Sequence, residues 1–196
     1  MFEYISGNLV EKTTNLAIID VNGVGFKLFA SHNSLASLEV NTPVTLWTHF
    51  KVSENAMDLY GFASIDERTA FDMLLSINGV GAKAAINILS VLTHSELAFA
   101  IIANEPKQIT KAAGVGPKLA NRIILELKDK IAKESKDMTF DIPSSTPAFT
   151  SSAMTDATSA LLVLGFDGDI VREAIAGLDD SLTTEEIIKQ ALKKMR

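Results

Sequence analysis

Hydrophobic positions change period twice along the chain. Over the first 62 residues, short runs rich in Val, Ile, Leu, Phe and Thr (2–8, 16–21, 24–30, 44–52 and 57–62) alternate with polar segments. Runs of that length and composition predict five β-strands. Asn22-Gly23 falls between the second and third runs, a dipeptide suited to a two-residue hairpin because both turn positions take positive φ. Five short strands in sequence predict a small barrel or sandwich. The oligonucleotide/oligosaccharide-binding fold is one candidate, and a barrel with no binding role is another.

From Ser64 the period becomes helical. Ser64-Ile-Asp-Glu67 has the spacing of a capping box, in which hydroxyl and carboxylate each satisfy an orphan amide. Phe71, Leu74 and Leu75 mark the apolar face that follows. Thr93-His-Ser-Glu96 opens a further helix through Ile101 and Ile102 in the same way. Pro117 suits the first turn of a long helix reaching about Lys133, with Leu119, Ile123, Ile124, Leu127 and Ile131 on one stripe. Residues 137–152 lose all periodicity. Nine of these 16 are Ser, Thr or Pro, which predicts a flexible, partly extended linker.

Residues 153–196 predict three short helices, with Asp167 and Thr183 as N-caps and a third capping box at Thr183-Thr-Glu-Glu186. Leu161, Leu164, Phe166, Ile170, Ile175, Leu178, Ile187, Ile188 and Leu192 supply its core. The reading is a multidomain α+β chain: a barrel over 1–63, a helical domain over 64–136, a linker over 137–152 and a three-helix unit over 153–196.

Composition narrows the chemistry. None of the 196 residues is cysteine, which excludes disulfides, thiolate metal sites and cysteine nucleophiles. His32, His49 and His94 show no metal-ligand spacing. No metal, cofactor or catalytic residue is expected. The N-terminus has no basic-then-apolar leader, and the longest apolar runs are about seven residues against the ~20 that span a bilayer. A cytoplasmic protein with no membrane association is expected. The net charge of −6 is unevenly spread: residues 1–62 carry −3, residues 63–136 carry +2 and residues 137–196 carry −5. Bases concentrate between Lys107 and Lys136, so a polyanion is drawn to the middle segment and repelled elsewhere.

The middle segment also holds an internal repeat. Leu74–Leu89 and Ile109–Ile124 align at an offset of 35 residues, which superposes Gly79/Gly114, Val80/Val115, Gly81/Gly116, Lys83/Lys118 and Ala85/Ala120. Each copy reads as helix, Gly-Val-Gly hairpin, helix. Two glycines permit a tight turn and present amides at the start of the next helix. Those amides and the positive end of the helix dipole attract an anion. The central valine turns inward as an anchor, and the lysine stands in the first helical turn, within reach of a phosphate. A site of this kind grips a nucleic-acid backbone and reads no base edge. This is the helix-hairpin-helix pattern. A lone Gly-x-Gly, such as Gly23-Val-Gly25, signals only a hairpin turn. The competing reading of the repeat is a duplicated helical pair whose glycines serve packing alone.

The ordered combination of Val21-Asn-Gly23-Val-Gly25-Phe26, the run from His49 to Phe62, Asn78-Gly79-Val80-Gly81-Ala-Lys83, Gly114-Val-Gly116 and Leu161-Leu-Val-Leu164-Gly-Phe166 resembles the RuvA family of Holliday-junction-binding proteins over essentially the whole chain. The resemblance implies an oligonucleotide-binding-fold (OB-fold) barrel that forms a homotetramer and a tandem helix-hairpin-helix domain gripping the DNA arms. It also implies a ubiquitin-associated-like three-helix domain that docks on the hexameric RuvB motor. One tetramer, or a face-to-face pair making an octamer, would enclose the junction, with the resolvase RuvC as a further partner. The family carries two acids at a hairpin tip near the junction centre. Here the tip is Ser53-Glu54-Asn55: Glu54 matches, and Asn55 stands where a second acid is common. In the family's terms, Asn78, Gly79, Val80, Gly81, Lys83, Gly114, Val115, Gly116, Lys118 and Arg122 contact DNA, with Lys111 and Asn121 as lesser candidates. Pro117 replaces a common basic residue. Leu161, Leu164, Phe166 and Leu192 match the apolar contacts to the motor, although some of them must build the small core.

Two other functions fit parts of the chain. A DNA glycosylase or lyase also uses a helix-hairpin-helix, but it needs a catalytic Asp or Lys in a base-flipping cleft, and a Lys/Glu-rich helix follows the second hairpin. A peptide-binding adaptor would use only the C-terminal unit. The sequence has no Gly-x-x-x-x-Gly-Lys-Ser/Thr loop, so ATP hydrolysis is expected from a partner, and this chain is expected to be non-enzymatic.

Overall fold

The computed structural model describes residues 2–137, 152–179 and 181–195. Most of the expected linker, residues 138–151, lies outside them. The five strands are β1 (Tyr4–Lys12), β2 (Leu16–Val21), β3 (Val24–Phe29), β4 (Pro43–Ser53) and β5 (Ala56–Phe62). They close into a barrel of order β1-β2-β3-β5-β4. All pairings are antiparallel except β3 with β5, which meet in parallel at Phe29 and Tyr60. This is the OB-fold-like barrel that was one of the expected alternatives.

Closure depends on β1 serving two neighbours. Tyr4 to Asn8 pair with β4, and Asn8 to Lys12 pair with β2. A register shift between Leu9 and Glu11 lies where β1 passes from one neighbour to the other, and bulges of this kind bend and twist a strand. Ile5, Leu9, Ala17, Ile19, Leu28, Leu46 and Leu59 fill the interior. The β2–β3 turn is the expected one, with Asn22 at φ 52° and Gly23 at φ 87°. A short helix absent from the sequence reading, α1 (His32–Ala36), follows β3 and places Leu35 in the barrel core. Five residues carry too little periodicity to announce a helix.

The chain folds into two compact units, Met1–His94 with Thr110–Gly116, and Ser95–Ile109 with Pro117–Arg196. Beyond the barrel and α1, the first contains α2 (Ile65–Leu75), α3 (Ala82–Val91) and the second glycine hairpin. The second contains α4 (His94–Ile102) from Ser95 onward, α5 (Pro106–Ile109), α6 (Pro117–Asp137), α7 (Ser152–Val163), α8 (Gly168–Ile175) and α9 (Thr184–Lys194). Helix α6 runs four residues beyond its expected end.

Helices α7, α8 and α9 pack on one another around Leu161, Leu164, Phe166, Ile175, Ile187, Ile188 and Leu192, all buried. Ile170, expected in this core, is instead 49% exposed. The buried stripe of α8 is Val171, Ala174 and Ile175, and Ile170 precedes it by one residue, about 100° around the helix. Leu178 is half-buried. Asp167 caps α8 as expected, accepting from the amides of Asp169 and Ile170. The Thr183–Glu186 box is complete. The Ser64–Glu67 box is half formed: Ser64 accepts from the Glu67 amide at 3.1 Å, but the Glu67 carboxylate turns away to Ser31 and Ser34.

Candidate nucleic-acid interface

The two halves of the repeat fold alike. In the first, the Val80 amide donates to the Ile77 carbonyl at 3.0 Å, and in the second the Val115 amide donates to Ala112 at 3.1 Å. These bonds lie 35 residues apart, as the alignment requires. Gly79 at φ 90° and Gly114 at φ 81° take the left-handed conformation that closes each turn, one that glycine adopts without a steric penalty. Val80 and Val115 are only 6% and 5% exposed and act as the inward anchors.

The second glycine of each copy is different. Gly81 caps α3 at φ −90°, an ordinary extended conformation. Gly116 is not among the positive-φ glycines. A Cβ built on either would meet nothing within 4 Å. Neither backbone strain nor packing within the chain therefore requires glycine at these positions. What a side chain would occupy there is open space at the start of a helix.

The chemistry of those starts is cationic. No side chain caps α3 at Gly81, and its first turn holds no acid. Helix α6 likewise has no acid in its first turn. Lys83 and Lys118 are each the second residue of their helix, and both are exposed. A cation at a helix N-terminus opposes the dipole at a cost of roughly 0.3–1 kcal/mol, a cost that a bound anion reverses. Asn78 is exposed beside the first hairpin. Arg122 stands exposed one turn along α6, with its Nε 3.9 Å from the Glu126 carboxylate. Lys111 is exposed, while Asn121 is turned back to the Pro117 carbonyl at 2.8 Å.

One residue escaped the sequence reading. Asn87 on α3 donates from Nδ2 to the carbonyl of Ala113 in the second hairpin at 2.8 Å, tying the helix that follows the first turn to the second turn. Its repeat partner at the same offset is Arg122, so the position carries a different residue in each copy. That departure from the repeat was the available signal.

The acidic turn lies at the far end of the β4–β5 hairpin. Ser53 pairs with Ala56, which leaves Glu54 and Asn55 as the two-residue loop. Every residue from Lys51 to Met57 is exposed, so the hairpin end stands clear of the barrel. In the C-terminal unit, Leu161, Leu164, Phe166 and Leu192 are interior side chains. Among the described residues, no single helix is long and apolar enough to cross a membrane.

Comparison with known proteins gives a consistent picture. A family model described as the RuvA N terminal domain matches residues 1–61, a SAM-like helix-hairpin-helix tandem matches 71–129, and a RuvA C-terminal domain matches 152–196. A protein of Ruminiclostridium cellulolyticum named Holliday junction branch migration complex subunit RuvA is 39% identical over 201 residues, covering 100% of both chains. Its namesake in Acetivibrio thermocellus is 39% identical over 98% of both chains. That of Marinomonas sp. is 36% identical over 100% of this chain and 98% of its own. With three family models in order along the chain and relatives matched end to end, the chain belongs to the RuvA family.

Proposed function

We propose that this chain binds four-way (Holliday) DNA junctions without sequence specificity, as a homotetramer, and recruits the RuvB ATPase motor for branch migration. The observation that carries the reading is the pair Gly81 and Gly116. Both lack a side chain that the fold itself would accommodate, and both stand directly before an uncapped or acid-free helix start with lysine in its first turn. A sugar–phosphate backbone is a partner of the right charge that needs such close approach to main-chain amides.

Four copies around a four-way junction match protein symmetry to DNA symmetry, one arm to each subunit. In each, the Asn78–Lys83 segment and the segment from Gly114 through Lys118 to Arg122 grip an arm. Four Glu54 side chains then repel phosphates from the crossover, with Asn55 supplying hydrogen bonding but no charge. The barrel of 1–63 serves assembly, the 64–136 region serves DNA, and the unit beyond residue 152 serves the motor, to which RuvB brings the ATP hydrolysis. Leu161, Leu164, Phe166 and Leu192 lie inside that last unit, so they support the motor contact mainly by shaping its surface. Exposed Ile170 is the apolar residue offered directly. RuvC would meet the same junction from its uncovered face, and the setting is the cytoplasm.

A gel-shift competition at low salt tests the reading. Junctions of any sequence are expected to outcompete linear duplex, and addition of RuvB to produce ATP-dependent branch migration. Equal affinity for junction and duplex overturns it.

A further inference from the structure

The barrel and the first glycine hairpin are joined by very little chain. Strand β5 ends at Phe62 and α2 begins at Ile65, so Ala63 and Ser64 are the whole connection between the strand that carries one side of the acidic turn and the helix that leads into Gly79. Both connector residues are held by side chains. The Ala63 amide donates to Ser34 Oγ at 2.8 Å, and Ser64 caps α2. Ser34 in turn donates to one oxygen of Glu67, and Ser31, which accepts the Ser34 amide at 3.0 Å, donates to the other.

Each serine oxygen therefore accepts a backbone amide and directs its own proton to the same carboxylate. Glu67 is 9% exposed. It gathers the N-terminus of α1, the connector and α2 at one point. Around it, Asn33 Nδ2 donates to the Leu89 carbonyl at 2.7 Å and the His32 amide to Ser90 Oγ at 3.0 Å, tying α1 to α3. On another side of α2, His49 Nδ1 lies 2.7 Å from Asp72, and Arg68 pairs with Glu3. These outer pairs are exposed or half-exposed. The Glu67 carboxylate is the buried member, and it is the group that accepts from both hydroxyls.

We infer that Glu67 is a positioning residue for junction recognition: by clamping Ser31 and Ser34 across the Ala63-Ser64 connector, it sets the distance between the acidic turn on β4–β5 and the first phosphate-gripping hairpin. Linear duplex needs only the hairpins. A junction needs hairpins and turn at a set separation, so the clamp governs the preference for junction over duplex. The inference rests on the junction-binding reading above.

The test uses full-length protein with Glu67→Gln and Ser34→Ala, which keep side-chain volume close to that of the parent, and Glu67→Ala as the severe variant. The absence of native cysteine allows spin labels at Ala56→Cys and Val91→Cys, both exposed, diluted into unlabelled chain. Pulsed electron spin resonance is expected to show a broadened distance distribution in the variants. Junction affinity is expected to fall about tenfold while duplex affinity holds within about twofold. An Ile88→Val control, which trims a buried side chain of α3 but leaves every bond of the Glu67 cluster in place, is expected to keep both the distance and the ratio.

An unchanged distribution in Glu67→Gln and Ser34→Ala, or parallel losses of junction and duplex binding, overturns the inference. Failure of the underlying reading looks different: the parent protein itself would then show no preference for junctions.

Discussion

Two sets of helices in this protein begin in opposite ways. Helices α8 and α9 start as isolated helices should, with Asp167 or Thr183 accepting the first amides and Asp169, Glu185 and Glu186 in the first turns. Helices α3 and α6 start with glycine before them, no acid in the first turn and lysine at the second position. Helix physics favours the first arrangement by a few tenths of a kcal/mol at each cap, since glycine is the mildest replacement for a capping side chain, with a further fraction of a kcal/mol from the dipole. The second arrangement gives that up twice, at positions related by an internal repeat. Under the proposed function, an external anion takes the place that a capping carboxylate holds elsewhere in the protein.

The sharpest way to break the contrast is to convert one kind of start into the other. Gly81→Asp with Gly116→Asp gives α3 and α6 the cap that α8 has. The space is there at both positions, and the extended backbone of an N-cap suits Asp, including before Pro117. Thermal stability is expected to hold or rise by a few tenths of a kcal/mol. DNA affinity at low salt is expected to drop by about 100-fold or more, equivalent to about 2.7 kcal/mol, because carboxylates then stand where phosphates must approach. A stable double variant with intact binding, seen by gel shift, would take these two helix starts out of the DNA interface.

Removing the cations alone is milder. Lys83→Ala with Lys118→Ala leaves the amides and turns intact, and binding is expected to weaken about tenfold and equally for all sequences. The slope of log affinity against log salt should shrink by about 0.9 for each phosphate that the protein no longer neutralises. An unchanged slope in a titration from low to moderate salt would take the two lysines out of the interface.

The contrast was largely legible in the sequence because both signals are local. Glycine spacing, the lysine offset and the capping residues act over three to five positions, and Val80, Val115, Asp167 and the Thr183–Glu186 box fold as their neighbours dictate. The barrel was legible for a similar reason, since the Asn22-Gly23 turn and five short runs leave few arrangements. What escaped depends on residues far apart in the chain. Helix α1 is too short to show a period. Asn87 finds Ala113 across 26 positions. Ile170 sits one step outside its buried stripe. Glu67 is the clearest case: the local pattern offers it the Ser64 backbone, but burial next to two hydroxyls from residues 31 and 34 outcompetes that local bond.

Within the conventionally capped set, Thr183→Ala removes both the side-chain acceptor for the Glu186 amide and one donor to its carboxylate. A loss of about 1 kcal/mol is expected for the C-terminal unit, read by thermal melting, with junction binding unchanged. A matching loss of DNA affinity would mean that this unit contributes to the grip.

Acid titration separates the two N3 glutamates, Glu67 and Glu186, by the sign of their contributions. Hydrogen bonds from the Thr183 amide and hydroxyl hold Glu186 below the usual carboxyl range of about 4.5. The unfolded chain then takes up the proton first as pH falls. The box's contribution is present above that value and lost as pH drops through the lowered one. Burial pushes Glu67 the other way, above 4.5, against a partial pull from Ser31 and Ser34. Here the folded protein binds the proton first, so its contribution is full below 4.5 and declines as pH rises through the raised value. In denaturant unfolding, the stability of the parent relative to Glu67→Gln is therefore expected to grow between about pH 7 and pH 4.5. The stability relative to Glu186→Gln should stay level over that range and decline only in more acidic buffer. If both differences moved together, the two carboxyls would share one environment, and the diversion of Glu67 from its helix cap into a buried clamp would be wrong.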